Sequence, residues 1–327
     1  MTHTMRAIVQ DAYGSPEVLV LREIDRPVVG EGDVLVRVRA AAVHLGAWHV
    51  MAGLPYLVRI MGYGIRAPHA RVRGMDVAGV IEEVGKDVRQ LRPGDEVFGT
   101  CAGAFAEYAS AREDRLVLKP ARLAFEQAAA VPTSACAALN GLRDTGHVRP
   151  GHEVLVIGAA GGVGTFAVQL ATAFGARVTG VCSTAKMDLV RSLGADEVID
   201  YTREDLLSGG RRYDLILDTA GNRPLRQLRR LLTRKGTLVI VGAEGGGRWF
   251  GHLDRQIRAV LLSPFVSQRL RGLVSAERTK DLQFLGGLID AGTLTPVIDR
   301  TYPLGEAPDA IRYLAMGHAR GKVVVTV

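Results

Sequence analysis

Cysteine is scarce in this chain of 327 residues: Cys101, Cys136 and Cys182 stand far apart and are odd in number. Neither a disulfide framework nor a four-cysteine zinc site can be built from them, and reduced thiols in the cytoplasm are expected. Long apolar runs are absent too. No stretch of about 18 apolar residues occurs, and no apolar signal core follows Met1-Thr-His-Thr-Met-Arg6, so no membrane association is expected. Aromatic residues make up only 6%. The arginine groups at 211–212 and at 226, 229 and 230 therefore lack the interleaved rings of a nucleic-acid surface, and no nucleic-acid partner is expected despite a formal charge of +7. They read as solvated helix faces. The remainder, 47% apolar and 23% charged residues, is ordinary globular composition with room for two domains.

The stretch from Gly151 to Tyr201 organises the chain. Val154, Leu155, Val156 and Ile157 form an apolar, β-branched run suited to a strand buried on both faces. Ala159, Gly161 and Gly164 fill the three small-residue positions of a G-x-G-x-x-G turn, and the spacing of Phe166, Val168, Leu170 and Ala171 predicts a helix ending near Gly175. A second strand follows at Arg177 to Cys182. That order suits a pyrophosphate, because small residues admit its close approach and the helix N-terminus offers unpaired N–H groups. Ala159, Ala160, Gly161, Gly162, Val163 and Gly164 are thus assigned to the cofactor. The second strand ends in Val181-Cys-Ser-Thr-Ala-Lys186, without an acid for the ribose of NAD. Hydroxyls and a cation suit the 2′-phosphate instead. NADPH is the expected cofactor, with Ser183 and Lys186 as phosphate ligands and Tyr201 packing nearby; a merely solvated Lys186 is the alternative.

On the N-terminal side, short runs at Arg6 to Gln10, Val18 to Leu21, Val34 to Val43, Val77 to Val84, Glu96 to Gly99 and Phe105 to Ala109 are separated by Gly, Pro and Asp. They predict an antiparallel β domain, a partly open barrel. An alanine-rich helix from Phe125 to Arg143, interrupted at Pro132, leads into the dinucleotide unit. Strand signals then recur at Glu197 to Ile199, Tyr213 to Asp218, Thr237 to Val241 and Arg258 to Leu262. Alternating with helices, they predict an α/β fold with a parallel, doubly wound sheet of six strands. Val241, Gly242 and Ala243 after the fifth strand, and Phe265 and Val266 after the sixth, are placed beside the nicotinamide. The last sixty residues predict a helix from Lys280 to Ala291, a strand near Val297 to Tyr302, a helix from Ala307 to Met316 and a strand from Lys322, a tail that can complete the first domain.

Gly74-Met-Asp-Val-Ala-Gly-Val-Ile-Glu-Glu-Val-Gly85, Pro93-Gly-Asp-Glu-Val-Phe-Gly99, Ala104-Phe-Ala-Glu-Tyr108, Gly158-Ala-Ala-Gly-Gly-Val-Gly164 and Gly321-Lys-Val-Val-Val325 together resemble the zinc-independent quinone oxidoreductase branch, the zeta-crystallin-like proteins, of the medium-chain dehydrogenase/reductases. The resemblance implies a GroES-like catalytic β-barrel domain over 1–123 and 267–327, a Rossmann domain over 124–266, an active site in the cleft and a homodimer. It implies no metal: zinc-containing relatives have Gly-His-Glu where this chain has Gly74-Met75-Asp76, and a cysteine where it has His44. Within the zinc-free branch the chain also departs. The usual Val-Asn-Pro-x-Asp reads Val43-His44-Leu45-Gly46-Ala47, and a threonine expected near the nicotinamide is Ala137.

These residues point to metal-free hydride transfer from NADPH to a small hydrophobic electrophile, a quinone or activated enone. Hydride addition leaves charge on the carbonyl oxygen, so a donor is needed. His44 and His49 are the candidate catalytic side chains. For His44 two readings stand: a proton donor titrating near neutrality, or a packed side chain with solvent supplying the proton. Tyr56 and Tyr63 belong to a segment suited to a flat apolar acceptor. The altered Asn, Asp and Thr positions leave two alternatives open, a NADPH-binding sensor or partner-binding protein with little turnover, and an enoyl-thioester reductase.

Overall fold

The computed structural model describes residues 4–242, 249, 251 and 253–327. Strand β1 (Thr4–Gln10) pairs antiparallel with β2 (Leu19–Asp25). Strands β3 (Asp33–Val43), β4 (Asp76–Val84), β5 (Glu96–Thr100), β6 (Tyr108–Arg112) and β7 (Leu116–Leu118) follow as an antiparallel set, β6 pairing with the first half of β3. Val34, Val36 and Val38 turn inward on β3 while Arg37 and Arg39 face water, the period of two that a half-buried strand requires. Ala104, Phe105 and Ala106 are buried, yet the expected strand at Phe105 to Ala109 begins only at Tyr108. The backbone there is committed elsewhere, the Phe105 carbonyl accepting from Ile8 N–H at 2.8 Å.

In the middle of the chain run β8 (Glu153–Ile157), β9 (Arg177–Cys182), β10 (Glu197–Asp200), β11 (Tyr213–Asp218), β12 (Leu232–Ile240) and β13 (Arg269–Gly272). All pair parallel, in the order β10-β9-β8-β11-β12-β13. Val154 to Ile157 are at most 3% exposed, as strands covered on both faces must be. The strand expected at Arg258 to Leu262 is instead the end of a helix, Leu253–Leu262, and the sixth strand comes later as β13. Ala259 is buried while Ile257, Val260 and Leu261 are exposed, a helical spacing that a short apolar run conceals. The expected long helix also divides, at Pro132, into Phe125–Ala129 and Pro132–Leu139, followed by a wider turn over Asn140–Thr145.

The tail then supplies β14 (Ile298–Pro303) and β15 (Lys322–Thr326). β15 pairs antiparallel with β3, and β14 pairs parallel with β15, so the first sheet is mixed and not wholly antiparallel. By packing, one unit runs to Thr133 and resumes over Glu277–Gly292 and Pro296–Val327; the other comprises Ser134–Ala276 and Thr293–Thr295. Its limits fall ten residues beyond the expected 123/124 and 266/267. The helix Phe125–Ala129 packs on β3 and β4, and β13 belongs to the parallel sheet. Among the described residues no helix is long and apolar enough to cross a membrane.

Candidate functional site

At the end of β8 the chain turns on Gly158, which holds the left-handed φ of +81°. Gly161 N–H donates to the Gly158 carbonyl at 3.0 Å, and Thr165 N–H donates to Gly161 at 2.9 Å as the first bond of the helix Gly162–Ala173. The N–H groups of Gly162, Val163 and Gly164 therefore precede the helical ladder, at the positive end of the helix. At Gly164 the helix crosses the turn so closely that a Cβ would stand 2.1 Å from the Gly158 carbonyl oxygen and 2.8 Å from Ala159 Cα. Ala159 and Ala160 are buried, while Gly161, Gly162 and Val163 keep partial access to solvent. This turn fits a pyrophosphate: N–H groups ahead of the helical ladder, small residues that admit a close approach, and a fixed backbone.

Ser183 and Lys186 bracket a single turn after β9, the Lys186 N–H donating to the Ser183 carbonyl at 2.9 Å. Tyr201 is 53% exposed, and its N–H donates to Cys182 at 3.1 Å, beside that turn. An acid does stand here, at the end of the third strand and not the second. Asp200 is buried and accepts from the Thr184 hydroxyl, from Thr202 N–H at 3.0 Å and from the Thr202 hydroxyl at 2.7 Å. The Thr184 bond, then that of Thr202, holds its carboxyl below the usual range. With both oxygens so engaged, Asp200 braces the turn that carries Ser183 and Lys186.

β11 ends level with β8, and Thr219 ties the two: its N–H and hydroxyl donate to the Ile157 carbonyl at 3.0 and 2.7 Å. Val241 and Gly242 donate to the Asp218 carbonyl at 2.9 and 3.3 Å, which brings the end of β12 to the same edge. Ala243 lies outside the described residues. Asp218 is buried, accepts from Gly221 N–H at 3.0 Å and pairs with Arg255, a contact sequence reasoning missed. Phe265 and Val266 require correction. They precede β13, whose first residue is in register with Thr237, so they sit at the N-terminal edge of the sheet, opposite the glycine turn. The misplacement follows from taking the helix Leu253–Leu262 for the sixth strand. Leu273 and Val274 follow β13 instead, with Leu273 N–H on the Ile240 carbonyl at 2.8 Å and Val274 92% exposed.

In the other unit His44 opens the helix Leu45–Ala52. Burial pulls its imidazole below the ordinary value; Asp76 opposes that shift and Lys322 adds to it. Asp76 and Lys322 are buried, with Oδ2 and Nζ 3.5 Å apart, and Thr133 donates its hydroxyl and, at 3.1 Å, its N–H to the other Asp76 oxygen. Burial, then Asp76, pushes the Cys101 thiol up to about 12. His49 is a different case. Its Nδ1 meets the Leu54 carbonyl at 3.0 Å and its ring stands edge-on to Trp48, so it fastens the end of the helix. Tyr56 lies under Arg59, and Tyr63 is 47% exposed with its carbonyl accepting from Tyr13 at 2.8 Å. Ile60, Met61 and Ile65 are exposed in the same segment and add to its apolar surface.

An alcohol dehydrogenase GroES-like domain model matches residues 30–121 and a zinc-binding dehydrogenase model matches residues 193–325. The mitochondrial NAD(P)H oxidoreductase RTN4IP1 of Mus musculus is 33% identical over 99% of this chain and 89% of its own length. The chain belongs to the medium-chain dehydrogenase/reductase family. The chloroplastic NADPH-dependent alkenal/one oxidoreductase of Arabidopsis thaliana is 34% identical, over 98% of this chain and 79% of that relative. The quinone oxidoreductase of Coxiella burnetii superposes with a TM-score of 0.87 at 29% identity, covering 99% of this chain and all of that one. The chain's likeness within that family is thus to quinone and alkenal/enone oxidoreductases. For this medium-chain dehydrogenase/reductase, no group of three His, Cys, Asp or Glu side chains is placed to hold a metal ion among the described residues.

Proposed function

We propose that the protein is an NADPH-dependent oxidoreductase that reduces a quinone or an activated enone and uses no zinc. The observation that carries this is the Gly158–Gly164 turn, where Gly164 lets the helix start pack directly on the turn and the N–H groups of Gly162 to Gly164 stand ahead of the helical ladder. The names of the relatives support the acceptor class, and Met75 and Asp76 in place of a Gly-His-Glu turn support zinc independence. Bound NADPH would supply a hydride. The N–H groups of Gly162 to Gly164 would hold its pyrophosphate, and Ser183 and Lys186 the 2′-phosphate, on the turn braced by Asp200.

His44 has a sharper role than either sequence reading allowed. Burial, which disfavours the charged imidazole, supports a role for His44 as a neutral N–H donor to the oxygen that gains charge, the proton itself coming from solvent. Residues 60–65 offer the apolar surface for a flat acceptor. A panel of quinones, enones and enoyl thioesters with NADPH is expected to show turnover with the first two. His44→Leu should lower kcat about a hundredfold, the usual cost of one lost donor, and His44→Asn should restore most of it. Turnover of His44→Leu at the wild-type rate would remove this role. Background rates throughout the panel would favour a NADPH-binding protein without turnover.

The edge strand β13 and three exposed apolar residues, Ile257, Val260 and Leu261, at i, i+3 and i+4 of the helix Leu253–Leu262 support a homodimer. Sedimentation velocity is expected to give a dimer, and Val260→Glu with Leu261→Glu a monomer. A monomeric wild type contradicts the assembly.

A further inference from the structure

We propose that the basic pocket at the N-terminal edge of the parallel sheet is a second anion site, and that it takes a polyphosphate group. The pocket, about 330 Å³, is lined by Arg212, Arg226, Arg229, Arg230, Leu232 and Gln268. Three parts of the chain build it. Arg212 immediately precedes β11, Arg226 to Arg230 lie on the helix Leu225–Leu231, and Gln268 immediately precedes β13. Since β8, β11 and β12 run parallel, this edge is opposite the glycine turn. Strands of five or six residues set the two edges roughly 15–20 Å apart, so one ligand phosphate cannot serve both.

Four arginines line this space and no carboxylate does. The neighbouring Arg211 is paired with Glu197, whereas none of the four forms an ion pair among the described residues. Gln268 Oε1 accepts from both Nε and Nη2 of Arg229 at 3.4 Å, which orients that guanidinium without neutralising it. A helix C-terminus favours cations and accounts for Arg229 and Arg230. It does not account for Arg212, which is off the helix, or for Arg226 in its first turn, where a cation is disfavoured and stands at i,i+4 to Arg230. Guanidiniums bind phosphate oxygens through paired N–H donors. A chain of phosphates presents enough oxygens and charge for several of them at once, which a single sulfate cannot. The space, about 330 Å³ and open to solvent, has room for such a chain.

Isothermal titration of the full chain with sodium tripolyphosphate, ATP and sulfate at matched ionic strength tests this, with and without saturating NADPH. Tripolyphosphate is expected to bind at one site per chain, at least tenfold tighter than sulfate, and as well with NADPH present as without it. Arg226→Gln with Arg230→Gln, and separately Arg212→Gln, should weaken it at least tenfold while thermal melts stay unchanged. ATP binding equally well assigns the site to a nucleoside-borne polyphosphate; tripolyphosphate binding alone assigns it to the free chain. The proposal is overturned if the arginine variants bind as the wild type does, if sulfate binds as tightly, if NADPH displaces tripolyphosphate, or if only a single-stranded oligonucleotide binds. Should NADPH fail to bind at all, the arginine variants still decide the matter.

Discussion

Gly164→Val is expected to abolish NADPH binding, at least a hundredfold in Kd, about 2.7 kcal/mol, and to cost about 1–3 kcal/mol of stability. The cause is backbone and cannot be relieved by a rotamer. A Cβ at this position meets the Gly158 carbonyl oxygen at 2.1 Å and the Ala159 carbonyl carbon and Cα at 2.8 Å, all of which belong to the turn proposed to receive the pyrophosphate. Helix and turn must part, and the N–H groups of Gly162 to Gly164 lose their common aim. Gly287→Ala is the control. It lies on the helix Thr279–Asp290 with open space around an added Cβ, so it should bind NADPH normally and gain up to about 1 kcal/mol. The comparison reads cofactor affinity by fluorescence titration and stability by urea denaturation. Normal affinity in Gly164→Val would show that the turn is not the pyrophosphate site.

Asp76→Ala is expected to destabilise the protein by about 3–5 kcal/mol, the cost of taking the carboxylate from a buried cation. Lys322 is 2% exposed and Asp76 is fully buried, and the same carboxylate satisfies the Thr133 N–H and hydroxyl. Replacing both, Asp76→Leu with Lys322→Met, should recover most of that loss, because matched apolar groups carry no desolvation penalty. The pH dependence follows from Lys322. Burial lowers its pKa below 10.5 and Asp76 partly restores it. The unfolded chain therefore binds the proton more tightly than the folded one, and stability rises with pH from the folded value up to about 10.5. Without Asp76 the folded value drops further, so the urea midpoint of Asp76→Ala should climb more steeply between neutrality and pH 10 than that of the wild type. A flat profile, or a double variant no better than the single one, would mean that the two groups are not coupled.

The legible parts of the sequence were those where a local pattern settles the structure. Val154 to Ile157 can hardly be other than a doubly covered strand, and Gly158 to Gly164 hardly other than a tight turn into a helix. Failure came where two structures share one local pattern. Val260, Leu261 and Leu262 read as a strand, but the exposure of the first two belongs to one stripe of a helix, and that single miscount carried Phe265 and Val266 to the wrong edge of the sheet. The helix Leu45–Ala52 left no clear local signal, since Gly46 in its first turn weakens the helical pattern. Contacts between distant residues left no local trace. Asp76 and Lys322 stand 246 residues apart in sequence, and each carried a motif without showing that it met the other. Asp200 had a readable sign, an Asp two residues before Thr202 at a strand end, which the search for an acid on the second strand passed over.

The central claim is that a dinucleotide bearing a 2′-phosphate rests on the turn after β8 with its phosphate at the turn after β9. Parallel fluorescence titrations of the wild type and Lys186→Ala with NADPH and NADH test it most directly. The expected result is NADPH bound at least tenfold tighter than NADH, about 1.4 kcal/mol, with Lys186→Ala erasing the preference and leaving NADH affinity unchanged. Equal affinity of the wild type for the two cofactors, or binding of neither, would contradict it.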